Sequence, residues 1–360
     1  MDSAVSFDEE YPIIGKVALN RLKTKCTTVV YDLKLIHYQC LQKTPKVDFM
    51  YPFDIYHYGN GKTEFGVDTV KGYEKVELKK VMSILLEAMK TSVSEYQYTH
   101  NRRKMVNKAV ITVSNYLTSD GSPDYSTIGD IISAAKLAGI EVIDIIEDTH
   151  ADLLYYLSSE RINKFEISVG TKIAVVDFGS STGICRVYEI VEQNGKKFAK
   201  KLDIFGNTVY SKLMDYRIME LINKQVKEKF EFAPLENEET SYRLLKVTEQ
   251  AKRSLFIVEK TDIDINELNP KIEGNIQITR NELMISELVN DELDSQISID
   301  VVLLAGSSCR IPFIQQQFKQ FFSKAKIIID GELEIVTAKG AVVHALQVLN
   351  KEVEPAISFF

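Results

Sequence analysis

Covalent and metal cross-links are scarce in this chain. Its four cysteines (Cys26, Cys40, Cys185 and Cys309) show no Cys-x-x-Cys spacing, which excludes a disulfide framework and a zinc site of the usual kind. His37, His57, His100 and His344 form no ligand-spaced cluster, and Thr149 and His150 read as packing or surface positions. No apolar run approaches the roughly 20 residues that a membrane span needs. The N-terminal Met-Asp-Ser-Ala-Val-Ser-Phe-Asp-Glu-Glu has no basic, apolar, small-residue signal pattern. With a net charge of −7 and no long basic run, a general phosphate-backbone binder is disfavoured. The expectation is a cytoplasmic chain, with a nuclear setting as the alternative, and no nucleic-acid or membrane partner. At 360 residues and 45% hydrophobic content it can bury a large core, and its length suits a two-lobed α/β unit.

Three segments carry chemistry. The β-branched run Ile173-Ala174-Val175-Val176 leads into Asp177-Phe178-Gly179-Ser180-Ser181-Thr182. Such a run reads as a buried strand entering a tight turn, where backbone N–H groups are free and little side chain keeps a phosphate away. Asp177, at the strand's end, is placed to hold a Mg²⁺-bound water or orient an attacking one. Alone this is weak, since many buried strands end in Asp-x-Gly without binding anything. A second unit, Val301-Val302-Leu303-Leu304, leads through Ala305-Gly306-Ser307-Ser308-Cys309-Arg310-Ile311 to Pro312, which opens a helix with Ile314, Phe318 and Phe321 on one stripe. The third segment puts Glu249, Lys252, Arg253 and Phe256 on one helix face and Leu244, Val247, Ala251 and Leu255 on another. The apolar stripe reads as core, and the charged one by itself is an ordinary solvated face.

Taken together, these segments resemble, in order and spacing, the nucleotide-binding ATPase domain of the 70-kilodalton heat-shock chaperones, the DnaK family. Asp177 to Thr182 stands where that family has Asp-Leu-Gly-Gly-Gly-Thr. Glu249-Gln-Ala-Lys252-Arg253-Ser-Leu matches its Glu-Arg-Ala-Lys-Arg-Thr-Leu, and Ala305 to Pro312 matches its Gly-Gly-Ser-Thr-Arg-Ile-Pro. The likeness extends through Lys104–Val113, Ala134–Tyr156, Gly206-Asn207 (a Gly-Gly pair in the family), Ile278-Thr279-Arg280 and Thr337–Leu346. It implies a two-lobed actin-like ATPase fold built from ribonuclease-H-like subdomains. Lobe I would span residues 1–170 and lobe II, which binds nucleotide, residues 171–330. A closing helix at 336–350 would return to lobe I and bury Ala338, Val342, Ala345 and Leu349. Local patterns add a helix from Leu78 to Met89, strands at Ala109–Val113 and Val142–Ile146, loops at Gly59–Gly61 and Ser119–Pro123, and a surface loop at Pro234–Thr240.

The resemblance implies roles as well. Lys34 falls on the family's catalytic lysine, where a cation would neutralise γ-phosphate charge. Asp177 and Asp148 would contact the water shell of Mg²⁺, Asp148 standing where the family has a longer Glu. Gly179, Ser180, Ser181, Thr182, Gly206 and Asn207 would face the phosphates of ATP or ADP. Glu249 and Lys252 would meet the ribose, while Arg253 and Arg310 would sandwich the adenine beside Phe256, Gly306, Ser307 and Ile311. J-domain co-chaperones and nucleotide exchange factors are the implied protein partners.

Departures from the family temper this. The match is expected to start only near Phe7, beyond the family's first phosphate loop. Lobe I is therefore expected to be incomplete, with an upstream strand–loop–strand hairpin in the coding sequence or in a relative. With the sequence ending at Phe360, no peptide-binding β-sandwich is expected. Ser180 and Ser181 replace glycines and would crowd the phosphates. Cys309 adds a residue to the adenosine loop, Phe256 replaces a serine facing the base, and Ser114 replaces a switch proline. The expected function is an adenine-nucleotide-binding domain with weakened or lost ATP hydrolysis, in a chaperone and stress-response context. The alternative is a non-catalytic module that binds co-chaperones. A sugar kinase is the poorest alternative, for want of a sugar-binding motif. A protein kinase is excluded, because Asp177-Phe178-Gly179 has neither a His-Arg-Asp loop nor a glycine-rich loop before it.

Overall fold

Apolar runs of four to seven residues give the strands, and longer stretches of 3.6-residue periodicity give the helices. The computed structural model describes residues 2–22, 24–36, 51–58, 61–100, 106–114, 125–158, 167–179, 183–193, 195–205, 210–236, 238–283 and 297–353. The chain divides into two units, Met1–Glu147 with Ala341–Phe360, and Asp148–Gly340.

In the first unit, β1 (Ala4–Ser6) lies between β2 (Ile13–Ile14) and β3 (Val29–Tyr31), with α1 (Lys16–Arg21) between β2 and β3 in the chain. An antiparallel sheet of β4 (Asp54–His57), β5 (Thr63–Thr69) and β6 (Gly72–Glu77) leads into α2 (Leu78–Thr99). Next come β7 (Lys108–Val113), α3 (Tyr125–Leu137) and β8 (Glu141–Glu147), the two strands pairing in parallel as a crossover helix requires. Val5, Val30, Phe53, Phe65, Leu78 and Val81 share one core. The expected helix from Leu78 exists but runs on to Thr99, and Met89 is exposed while Ile84 is buried. All three β1 residues are buried, so the sheet already includes residues ahead of Phe7.

The second unit opens with α4 (Asp148–Ser158) and is built on a five-stranded sheet. Its strands are β9 (Lys172–Phe178), β10 (Gly183–Gln193), β11 (Lys196–Phe205), β14 (Val301–Ala305) and β15 (Lys326–Ile329), in spatial order β11-β10-β9-β14-β15. The first three are antiparallel neighbours, and β9, β14 and β15 are parallel. Ile173, Val175, Tyr188 and Leu303 bury one sheet face against Leu153 and Tyr156 of α4, and Ala174, Val176, Val302 and Leu304 form the core on the other. A separate layer carries α5 (Tyr210–Phe230) and α6 (Glu238–Ile257) against the hairpin β12 (Lys260–Asp264) and β13 (Asn275–Thr279). Then come α7 (Pro312–Phe321) and α8 (Val336–Leu349).

Two expectations fail here. Pro234–Thr240 is not a surface loop. A short 3₁₀ turn at Pro234–Glu236 buries Pro234, and α6 starts at Glu238. The Thr240 and Ser241 hydroxyls both donate to the Pro234 carbonyl, tying the turn to the helix start. On α8 the burial is inverted. Val342 is 60% and Leu349 59% exposed, whereas Val336, Ala341 and His344 are buried. The reason lies in the partners. A Cβ on Gly340 would sit 1.7 Å from the Ala151 carbonyl oxygen, so α8 meets α4 backbone to backbone, and His344 Nε2 lies 2.7 Å from the buried Asp144 carboxylate. The Gly59-Asn60 and Ser119–Pro123 positions lie outside the described residues.

Candidate functional site

Parallel pairing of β9 with β14 sets Asp177 opposite Ala305, so the two motif loops leave the sheet side by side. In an open α/β sheet the crevice beyond the strands' carboxyl ends is where ligands bind. Gly306 makes the approach possible. At φ 81° it adopts a conformation that L side chains rarely enter, and a Cβ there would lie 2.5 Å from the Phe178 carbonyl and 2.7 Å from Asp177 Oδ1. The Ser308 hydroxyl, which the motif reading passed over, donates to the Gly179 carbonyl at 3.0 Å and bridges the loops. Gln315 of α7 holds the same loop through the Cys309 carbonyl at 2.8 Å.

Cys309, the inserted residue, turns into the core beside Val176. Burial, with Asp177 nearby, pushes its thiol well above the usual range. The insertion is thus absorbed by the core. Phe256 packs with Phe178, Ile311, Phe313 and Phe318 around the buried Ile314. This one cluster fastens the end of β9, the loop before Pro312 and α6 together, and it gives Phe256 a packing role that the expectation of a residue facing the base did not include.

Glu249 and Arg253 pair across one helical turn at 2.5 Å on an exposed stretch of α6, Arg253 being 75% exposed. Lys252 pairs with Asp215 of α5. Arg280, from the Ile-Thr-Arg motif, donates to the Leu255 and Val258 carbonyls at 2.7 and 2.8 Å, so it closes the carboxyl end of α6. Arg310 is held by Glu334, and its NH2 also donates to the Gly331 carbonyl at 2.6 Å. Arg310 draws the Glu334 carboxyl down from 4.5 to about 2. A carboxyl depressed on folding stabilises the fold above its unfolded value and loses that contribution as pH falls. Glu334→Gln should therefore flatten part of the acid-unfolding curve between about pH 4.5 and 2, by a small amount because the pair is half exposed. Circular-dichroism melts over that window check this.

Asp177 and Asp148 are both buried in the second unit, Asp148 in the first turn of α4. Lys34 belongs to the first unit, exposed between the buried Leu33 and Leu35. Ser114 is buried at the end of β7. Ser180, Ser181, Thr182, Gly206 and Asn207 lie outside the described residues. Among the described residues no three His, Cys, Asp or Glu side chains are grouped to hold a metal, and no helix is long and apolar enough to cross a membrane. Two buried carboxylates, Asp177 and Asp148, are of the type that meets the water shell of Mg²⁺, and the buried Arg186 lies on the sheet face that carries Asp177.

A two-unit α/β fold, with two glycine-bearing loops abutting at the ends of parallel strands, defines a nucleotide-binding domain of the actin-like ATPase class. Comparison with known proteins agrees: the family described as Hsp70 protein matches residues 1–355, and the chain belongs to that family. The match begins at residue 1, ahead of the expected start near Phe7. Among curated relatives, a heat shock protein 70 homolog of Acanthamoeba polyphaga mimivirus is 28% identical over 379 residues, which cover 97% of this chain and 38% of the relative. A chaperone protein DnaK of Carsonella ruddii (strain PV) is 27% identical over 344 residues, 89% of this chain and 54% of the relative. The chain thus spans about half the length of these relatives, or less. The family binds ATP and ADP, generally with Mg²⁺.

Proposed function

We propose that this chain binds ATP and ADP through its second unit and hydrolyses ATP weakly or not at all. The observation that carries the binding reading is the apolar cluster around Ile314, which locks the end of β9, the Ile311 loop and α6 into one body. That cluster is the shared footing of the phosphate loop, the adenosine loop and the Glu249/Lys252/Arg253 face. Arg253, largely exposed and tethered only across one helical turn, can move onto a base at little cost. Arg310 is the more firmly held partner. Weak turnover follows from Ser180 and Ser181, whose Cβ atoms stand where the family has glycine.

Calorimetric titration of ADP into the purified chain tests binding. Wild type should bind, and Arg253→Ala should lose about tenfold or more, as expected when a desolvated cation–π contact worth up to about 2 kcal/mol is removed. No detectable heat near millimolar ADP would sink the reading. Single-turnover ATP hydrolysis tests the second half, and a rate equal to that of an intact family member would refute it. The alternative, a non-catalytic module for J-domain proteins or exchange factors, draws its support from the ion pairs that already engage Lys252, Arg253 and Arg310.

A further inference from the structure

Ser308 joins the two loops that leave the sheet at the ends of β9 and β14. Its hydroxyl donates to the Gly179 carbonyl at 3.0 Å, from 129 residues away in the chain. The two ends of this bond are held differently. On the donor side, the turn Ser307–Arg310 is closed by the Cys309 N–H on the Gly306 carbonyl at 3.1 Å. The Ile311 N–H adds a bond to the Ser308 carbonyl at 3.2 Å, and the Gly306 N–H donates to the Leu333 carbonyl at 3.2 Å. Gln315 holds the Cys309 carbonyl at 2.8 Å, and the Cys309 side chain is buried in the core. Ser308 is thus fixed by bonds on either side of it. On the acceptor side stands a glycine, which has no Cβ to restrict its backbone and can turn its carbonyl at little cost. A fixed donor facing an adaptable acceptor sets the acceptor's direction.

That direction matters beside a phosphate. A loop accepts an anion by presenting N–H groups, and a carbonyl oxygen turned towards the anion sets negative partial charge against it. We infer that Ser308 is a positioning residue for the phosphates of the bound nucleotide: it holds the Gly179 carbonyl against the loop before Pro312, so that this acceptor does not face the anion. The inference rests on the proposed nucleotide binding and names the diphosphate as the part of the ligand that Ser308 governs. Ser308 acts through Gly179, without contact to the phosphates.

Wild type, Ser308→Ala and Ser308→Thr are titrated with ADP by calorimetry. Adenosine, which has the same base and ribose but no phosphate, is titrated against each by saturation-transfer NMR. Ser308→Ala should bind ADP about tenfold more weakly, the worth of one hydrogen bond to a charged group, and adenosine within about twofold of wild type. Ser308→Thr keeps the hydroxyl and should stay within about threefold of wild type for both ligands. A merely structural role would weaken ADP and adenosine in the same proportion. Equal losses for the two ligands in Ser308→Ala, or no loss for ADP, would overturn the inference. So would a loss in Ser308→Thr as large as that in Ser308→Ala. Should adenosine bind none of the chains, AMP takes its place, and Ser308→Ala must then lose more on ADP than on AMP. A wild type that binds no ADP sinks the nucleotide reading itself. A wild type that binds ADP, beside a Ser308→Ala chain with an unchanged ratio of ADP to adenosine affinity, removes the role of Ser308 alone.

Discussion

Replacing Gly306 with alanine is expected to abolish ADP binding and to lower the stability of the second unit by about 3 kcal/mol. Two penalties combine. The residue sits at φ 81°, where a Cβ costs about 1–2 kcal/mol. The same Cβ would also enter the space of the Phe178 carbonyl and the Asp177 carboxylate, and overpacking of that kind costs about 1–3 kcal/mol. Relief requires the end of β14 to draw away from β9, which stretches the Ser308–Gly179 hydrogen bond and parts the two loops. Denaturant unfolding and ADP calorimetry on the same sample check both effects. Unchanged binding would mean that the loops act independently.

Gly340→Ala should be comparably severe for a different reason. This glycine is helical, and alanine is ordinarily the better helix former there by about 1 kcal/mol. Here the added methyl would lie 1.7 Å from the Ala151 carbonyl oxygen and 2.3 Å from its carbon, on a backbone that cannot turn aside as a side chain could. Overpacking should outweigh the propensity gain, for a net loss of about 2 kcal/mol and a melting point lower by roughly 4–8 °C. Differential scanning calorimetry measures it, and a rise in melting temperature would show that α8 can slide along α4.

The substitutions that matter most fall on glycines, because a glycine marks where two backbones must come close. Gly306 could be suspected from sequence, since it follows an apolar run and belongs to a loop motif. Gly340 could not. Nothing in Thr337–Leu346 says which neighbour the helix touches, and a stretch apolar on most sides offers two candidate stripes. The expected stripe, Ala338, Val342, Ala345 and Leu349, lost to the one through Val336, Ala341 and His344. Met89 illustrates the same limit, because the burial of α2 follows Val81, Ile84 and Leu85 and leaves the far end of the stripe exposed.

Local chemistry was the part that sequence alone determined. Short β-branched runs had to be strands, Pro312 had to open a helix, the Glu249–Phe256 periodicity had to divide a charged face from an apolar one, and the order of motifs pointed to the family. Each of these depends on neighbours within a few residues of the chain. Tertiary structure alone decided which polar groups meet. Glu334 on Arg310, Asp215 on Lys252, Ser308 on Gly179 and Asp144 on His344 join residues brought together only by the packing of strands and helices. Desolvation is the physical reason. A charge is costly to bury unless a partner waits for it, and the position of that partner is a property of the folded sheet, which no local pattern carries.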